Sequence, residues 1–287
     1  CAVNHNTGRE HESDLLARSG APQTILVVGG GPGGMECARL LAEQFHRVDL
    51  WEKEADLGGT ARIAGLAYAP NETLVHYLAG AVRALPITLK LRTTAPRENI
   101  AALDPDHIIL ATGARRSAPD IPGKAQRHVF DGDELRGLLF GNNRAALAKL
   151  PPLQRLVLHV GRWSQILRNI RLLRLLSKLW MPISRDVVII GGGLVGLELA
   201  EYLVERRRNV TILEPGAAFG PELAIVRRAR VLHELKAHGA VLHKSVDEIE
   251  IGARTVRFSL GGEHQEVTCS QVIIALGAQP DDSLLKQ

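Results

Sequence analysis

The chain has 287 residues, 45% of them apolar and 23% charged, which is ordinary for a globular protein and long enough for two domains with a core each. No transmembrane helix is expected, since no uncharged apolar run reaches the length of a membrane span, and no signal peptide is recognised. The net charge of +4 is local: Arg136 to Arg185 carries ten Lys or Arg and no Asp or Glu, so the rest of the chain is net acidic and a general nucleic-acid-binding surface is not expected.

Residues 1–21 show no strong periodicity and read as an extended lead-in. The chain begins at Cys1 rather than Met, which points to a fragment or processed product of something longer. Cys1, Cys37 and Cys269 form no CxxC pair or disulfide framework, so a reducing, cytoplasmic setting is the expectation. A first domain is read over 22–118. Ile25 to Val28 is a β-branched apolar run of the kind buried in a parallel sheet. It runs into GGGPGG, with Gly29, Gly31 and Gly34 in the G-x-G-x-x-G positions and Gly30, Pro32 and Gly33 between them. Such a turn lets the backbone approach a pyrophosphate, which the first amides of the following helix then bind. A second strand, Arg47 to Trp51, ends in Glu52, 23 residues after Gly29, where a carboxylate accepts from the ribose of an adenosine. Lys53 adjoins it. Paired glycines return at Gly58-Gly59-Thr60, a helix is expected from Asn71 to about Leu85, and Ile87 to Leu91 and His107 to Leu110 read as strands. The last of these ends in Ala111-Thr112-Gly113, at the sheet edge where ligands bind.

Residues 119–184 read as a basic helical insertion or linker that two nucleotide domains do not need. Within it, Trp163 to Trp180 is expected to form one helix with Arg168, Arg171, Arg174 and Lys178 along a drifting stripe. Such a helix can lie on an anionic membrane or an acidic partner, but a helix packed on its own protein with its cations in water is the commoner case and the favoured expectation. The opening pattern then recurs over 185–271. Asp186 to Ile190 is a strand, Gly191, Gly193 and Gly196 take the glycine positions, Leu197 to Arg207 is the helix, and Asn209 to Leu213 ends in Glu214, again 23 residues on. A helix from Pro221 to His238 and an antiparallel meander over Val246 to Cys269 follow, and Gln271 to Leu276 runs into Gly277-Ala278-Gln279-Pro280.

Two dinucleotide units in one chain imply two nucleotides brought together, and a flavin with a nicotinamide is the pair hydride transfer needs. The order GGGPGG, Glu52, LGG, ATG, GGGLVG, Glu214, ALGAQP resembles flavoproteins of the two-dinucleotide-domain class that includes the pyridine nucleotide-disulfide reductases, though no redox cysteine pair follows Glu52. It is most similar to the C-terminal module of 2,4-dienoyl-CoA reductase and the old-yellow-enzyme-like NADH:flavin oxidoreductases, relatives of trimethylamine dehydrogenase. The resemblance implies an α/β fold of two Rossmann-like domains, three-layered with a β-meander in each. It implies FAD on Gly29, Gly31, Pro32, Gly33, Gly34, Glu52, Lys53, Gly58, Gly59, Thr60, Ala111, Thr112 and Gly113, and the nicotinamide nucleotide on Gly191, Gly193, Gly196 and Glu214, with Gly277 at the following strand end. It also implies that CAVNHNTGRE carries a cluster ligand, Cys1, of a 4Fe-4S centre whose other ligands lie upstream, beside an N-terminal barrel holding FMN and the small-molecule substrate. No general acid or base is assigned.

A carboxylate at Glu214 accepts from a 2′-hydroxyl and repels a 2′-phosphate, and no cation follows until Arg227, so NADH is expected over NADPH. In relatives the chain returns to the FAD domain after the ALGAQP-like stretch, and residues 272–287 read as the start of that return. A Gly-Asp flavin contact found further on in relatives is not reached by Gln287, so weakened FAD retention is expected. Two alternatives stay open: the FAD module of a glutamate-synthase-like or ferredoxin-reductase-like enzyme, and a nucleotide-binding interaction protein that uses its basic helix.

Overall fold

The computed structural model describes residues 7–8, 20–116, 119–140, 143–163 and 169–285. Cys1, the candidate cluster ligand, and nearly all of the lead-in lie outside them. The chain divides into two compact units, one running to Arg115 and resuming at Pro280, the other spanning Arg116–Gln279.

The first unit is built on the parallel strands β1 (Thr24–Val28), β2 (Arg47–Glu52), β3 (Ile87–Leu91) and β4 (His107–Leu110), in the order β3-β2-β1-β4. Leu26, Val27 and Leu50 are fully buried, as parallel strands covered on both faces require. Helices α1 (Pro32–Glu43), α2 (Gly59–Ala67) and α3 (Ala69–Ala84) connect the first three strands. Met35, Ala38 and Ala42 of α1 and Leu78, Ala79 and Val82 of α3 share one core with Ile25, Val27, Val48 and Leu50. The third helix starts earlier than expected: Tyr68 is its extended N-cap and Pro70 occupies its first turn, where a missing N–H costs nothing, so Asn71 lies inside it. Helix α4 (Arg97–Leu103) carries the chain from β3 to β4. A parallel pairing needs such a crossover, and the 15 residues between Leu91 and His107 leave no room for strands besides. The meander expected in each domain is therefore absent from the described residues of this unit.

After the short β5 (Ala114–Arg116), at the end of the first unit, the second contains β6 (Val129–Asp131), α5 (Gly132–Phe140), α6 (Arg144–Ala148), α7 (Pro152–Trp163) and α8 (Ile170–Leu176). The glycine-turn unit follows as β7 (Asp186–Ile190), α9 (Leu194–Val204), β8 (Asn209–Glu214), α10 (Ile225–Ala237) and β9 (Val241–Lys244). Next come β10 (Val246–Ile251), β11 (Thr255–Leu260) and β12 (Glu263–Thr268), an antiparallel meander as expected, then β13 (Gln271–Ile274) and β14 (Ala278–Pro280). The main sheet is parallel, ordered β6-β13-β7-β8-β9.

The structure departs from the sequence expectations in three places. Residues 119–184 are not a spare insertion throughout, because β6 pairs with β13 in register Val129↔Val272 and Ile121 and Val129 are part of the core beneath the meander. Trp163–Trp180 is not one helix. Helix α7 ends at Trp163, and Asn169 caps α8 by accepting from the Leu172 N–H at 3.1 Å, with extended backbone that interrupts a helix. Helix α10 begins at Ile225 rather than Pro221, since Gly220 to Leu223 closes a turn through the Leu223 N–H and Gly220 carbonyl.

Helix α8 is held by Arg206. This buried guanidinium donates to Ser177 Oγ at 2.9 Å and to the Arg174 carbonyl at 3.3 Å, and it stacks 3.6 Å over the Tyr202 ring. A cation at a helix C-terminus also complements the dipole.

Candidate functional site

The first unit's turn is organised by backbone approach. The Gly29 N–H donates to the Trp51 carbonyl at 2.8 Å, and a Cβ on Gly29 would lie 2.3 Å from the Ala111 carbonyl oxygen. A Cβ on Gly34 would lie 1.9 Å from the Gly29 oxygen, so α1 packs on the turn only with glycine there. Gly31 and Gly33 differ: a Cβ on either meets nothing within 4 Å. The space before the N-terminus of α1 is open, no side chain caps that helix, and Pro32 starts it. An open volume facing uncapped amides and the positive end of a helix dipole is a cradle for a pyrophosphate.

Glu52 stands buried at the end of β2. One carboxylate oxygen accepts from the Gly30 N–H at 2.6 Å and the other from the Glu54 N–H at 2.7 Å. Each oxygen keeps acceptor capacity, so the group is pre-oriented for ribose hydroxyls. Lys53 beside it is exposed. The Gly58 N–H donates to the Gly30 carbonyl at 2.8 Å, and a Cβ on Gly59 would come within 3.2 Å of Gly31 Cα. The LGG segment thus closes on the glycine turn, with Thr60 exposed in the first turn of α2. On the other side, the Ala111 N–H continues the pairing of β4 to the Val28 carbonyl. Thr112 Oγ1 donates to the Asp281 carbonyl at 2.7 Å, and the Asp281 N–H donates to the Gly113 carbonyl at 2.9 Å. The structure therefore assembles Gly29–Gly34, Glu52, Gly58–Gly59 and Ala111–Gly113 at one edge of the sheet, and adds Asp281, which no motif marked.

The second unit repeats this frame bond for bond. The Gly191 N–H donates to Leu213, the Gly220 N–H to Gly192 and the Ala275 N–H to Ile190, each at 2.8 Å. A Cβ on Gly196 would lie 1.9 Å from the Gly191 oxygen. Glu214 accepts from the Gly192 and Gly216 N–H groups, each at 2.5 Å. Gly220 thus stands where Gly58 stands in the first unit, a role the sequence did not disclose because it lies outside any GG pair. Gly277, with φ of 74°, turns the chain after β13.

One feature differs. In the second unit the carboxylate of Glu222 lies over the helix start, with Oε2 accepting from the Leu194 N–H at 3.3 Å and Oε1 3.2 Å from where a Gly193 Cβ would be. The counterpart of this carboxylate is absent at Gly31. Nearby, Glu201 holds Arg227 through two hydrogen bonds of 3.0 and 2.5 Å, and burial pushes the Glu198 carboxyl above its ordinary value. Burial likewise raises the thiols of Cys37 and Cys269, which suits core filling rather than nucleophilic chemistry. Among the described residues no group of three or more His, Cys, Asp or Glu could hold a metal ion.

Bilirubin reductase of Mediterraneibacter gnavus is 29% identical over 98% of this chain and 38% of its own length. Cinnamate reductase of Clostridium sporogenes is 30% identical over 75% of the chain and 26% of its own length. The solved structure of a 2-naphthoyl-CoA reductase complex superposes with a TM-score of 0.78 at 26% identity, covering all of this chain and 38% of that one. The chain thus spans about two fifths or less of the length of these larger proteins. Residues 23–287 match the family model described as pyridine nucleotide-disulphide oxidoreductase, and the chain belongs to that family of NAD(P)H-dependent flavin oxidoreductases.

Proposed function

We propose that this chain is the NADH-oxidising module of a flavin-dependent reductase, with FAD held by the first unit and NADH by the second. In the longer protein, electrons would pass towards an iron–sulfur cluster and FMN in an N-terminal barrel, for reduction of an enoyl-type substrate. The observation that carries the reading is the bond-for-bond repeat of one nucleotide frame, with an open cradle at Gly31 and a pre-oriented carboxylate at Glu52.

FAD, when bound, supplies the exchange between two-electron and one-electron chemistry. The chain's own residues bind and orient. Gly31 and Gly33 leave volume for phosphates before α1, Glu52 accepts from ribose hydroxyls, and Gly58 and Gly59 close the near side of the cradle. At the second frame Glu214 accepts from a ribose and repels a 2′-phosphate, while Arg227, the first cation after it, is engaged by Glu201. This favours NADH over NADPH.

The test is anaerobic reduction of the FAD-loaded chain. NADH is expected to bleach the flavin band, and NADPH to do so more slowly. Flavin that stays oxidised under NADH would refute the central step, and faster bleaching by NADPH would refute the cofactor preference alone.

A further inference from the structure

Helix α7 is packed the wrong way round for a surface helix. Leu153, Leu156, Val157, Val160 and Trp163 recur at spacings of three and four, which places them on one face. All five are exposed, from 45% at Val157 to 85% at Trp163. Gln154 and Arg155 are instead half-buried, and Arg155 faces inward, its Nε donating to the Leu150 carbonyl at 2.7 Å and Nη2 to that of Ala148 at 2.8 Å. Leu158 is buried on that inward side. A helix covering its own core shows the opposite polarity. Around α8 the pattern extends: Ile170 and Leu173 are buried, while Leu175, Leu179 and Trp180 are exposed beside Arg171 and Lys178, exposed too.

We propose that α7, with the end of α8, is a docking surface for an anionic lipid bilayer, on which α7 lies flat. Charge complementarity selects this occupant. From Arg136 to Arg185 the sequence has ten cations and no carboxylate, and Arg144, Arg171, Lys178 and Arg185 among them are exposed, so the segment that carries the apolar stripe attracts anionic headgroups. The stripe is mainly aliphatic and has tryptophan at its end, which suits insertion at the headgroup boundary. At 12 residues α7 is about 18 Å long, and among the described residues no helix is long and apolar enough to cross a membrane, so the contact is interfacial. The proposal rests on α7 and its surroundings and not on the nucleotide reading.

Flotation of the intact chain with vesicles tests it. Equimolar phosphatidylglycerol and phosphatidylcholine vesicles are expected to carry the chain, pure phosphatidylcholine vesicles much less, and added salt should weaken the difference. Tryptophan emission should shift to the blue on binding. Trp51 is already buried, so that change reports Trp163 and Trp180. The double variant Leu156→Glu/Val160→Glu changes two exposed side chains, so circular dichroism and melting should match the parent while partitioning falls about tenfold or more. Absence of flotation, or equal flotation of the folded variant, overturns the proposal. So does self-association abolished by the same substitutions without lipid binding, which would assign the face to a second copy of the chain.

Discussion

Gly31 and Gly34 sit three residues apart in one turn and serve opposite purposes. A methyl on Gly34 would drive into the Gly29 carbonyl, which is backbone and cannot yield without moving α1 off β1. A methyl on Gly31 meets no protein atom within 4 Å and would fill the volume reserved for phosphate. Gly34→Ala is therefore expected to cost about 2–4 kcal/mol of stability in denaturant unfolding. Gly31→Ala should unfold within about 0.5 kcal/mol of the parent yet bind FAD about tenfold more weakly in a fluorescence titration. Equal FAD affinity for the parent and Gly31→Ala would remove the cradle from this turn. Both roles were legible as motif positions, but only the structure separates the glycine needed by the fold from the one that serves the ligand.

At the scale of elements, α1 and α9 present the same kind of N-terminus differently. Neither start is capped by its own N-cap residue, a glycine in both, but Glu222, arriving from the loop before α10, lies over α9 and accepts from Leu194. A pyrophosphate at α9 must displace that carboxylate and overcome its charge. Glu222→Gln should then tighten NADH binding by about two- to fivefold, the scale of one carboxylate at a helix N-terminus. Calorimetric titration showing unchanged or weaker binding would mean that Glu222 does not compete. Nothing in the sequence announces this contact, since the two residues lie 28 apart with α9 and β8 between them. Strands were far more legible: β3, β4, β7 and β10 occupy the residues read for them, because apolar runs that end at glycine or charge have few alternatives. Short β6 was not legible, because three residues carry no period and only pairing with β13 makes them a strand. Residues 152–162 were not read as a helix at all, and for 163–180 the period of the cations states only that a helix has two faces. That α7 turns its apolar face outward, and that Asn169 starts a new helix, are decided by the contacts of Arg155 and the cap itself.

For the whole molecule, the question is which unit takes which nucleotide, since two frames so alike do not answer it by their hydrogen bonds. The asymmetry lies around them. In the first unit the cradle is open before α1, the LGG segment closes on it, and Thr112 and Gly113 are tied to Asp281. An unshielded cradle with fixed walls suits a cofactor that stays. In the second, Glu222 must be displaced at each arrival, which suits a substrate that comes and goes. A ligand at about 100 times its Kd stabilises the unit holding it by about 2.7 kcal/mol, which slows amide exchange through opening of that unit about a hundredfold. FAD alone should therefore protect peptides covering Ile25–Glu52 and Ala111–Gly113 in hydrogen-exchange mass spectrometry. NADH alone should protect those covering Asp186–Glu214. Protection in the opposite units would reverse the assignment while leaving both frames as nucleotide sites, whereas protection of neither by either ligand would show that the repeated turn is structural in this chain.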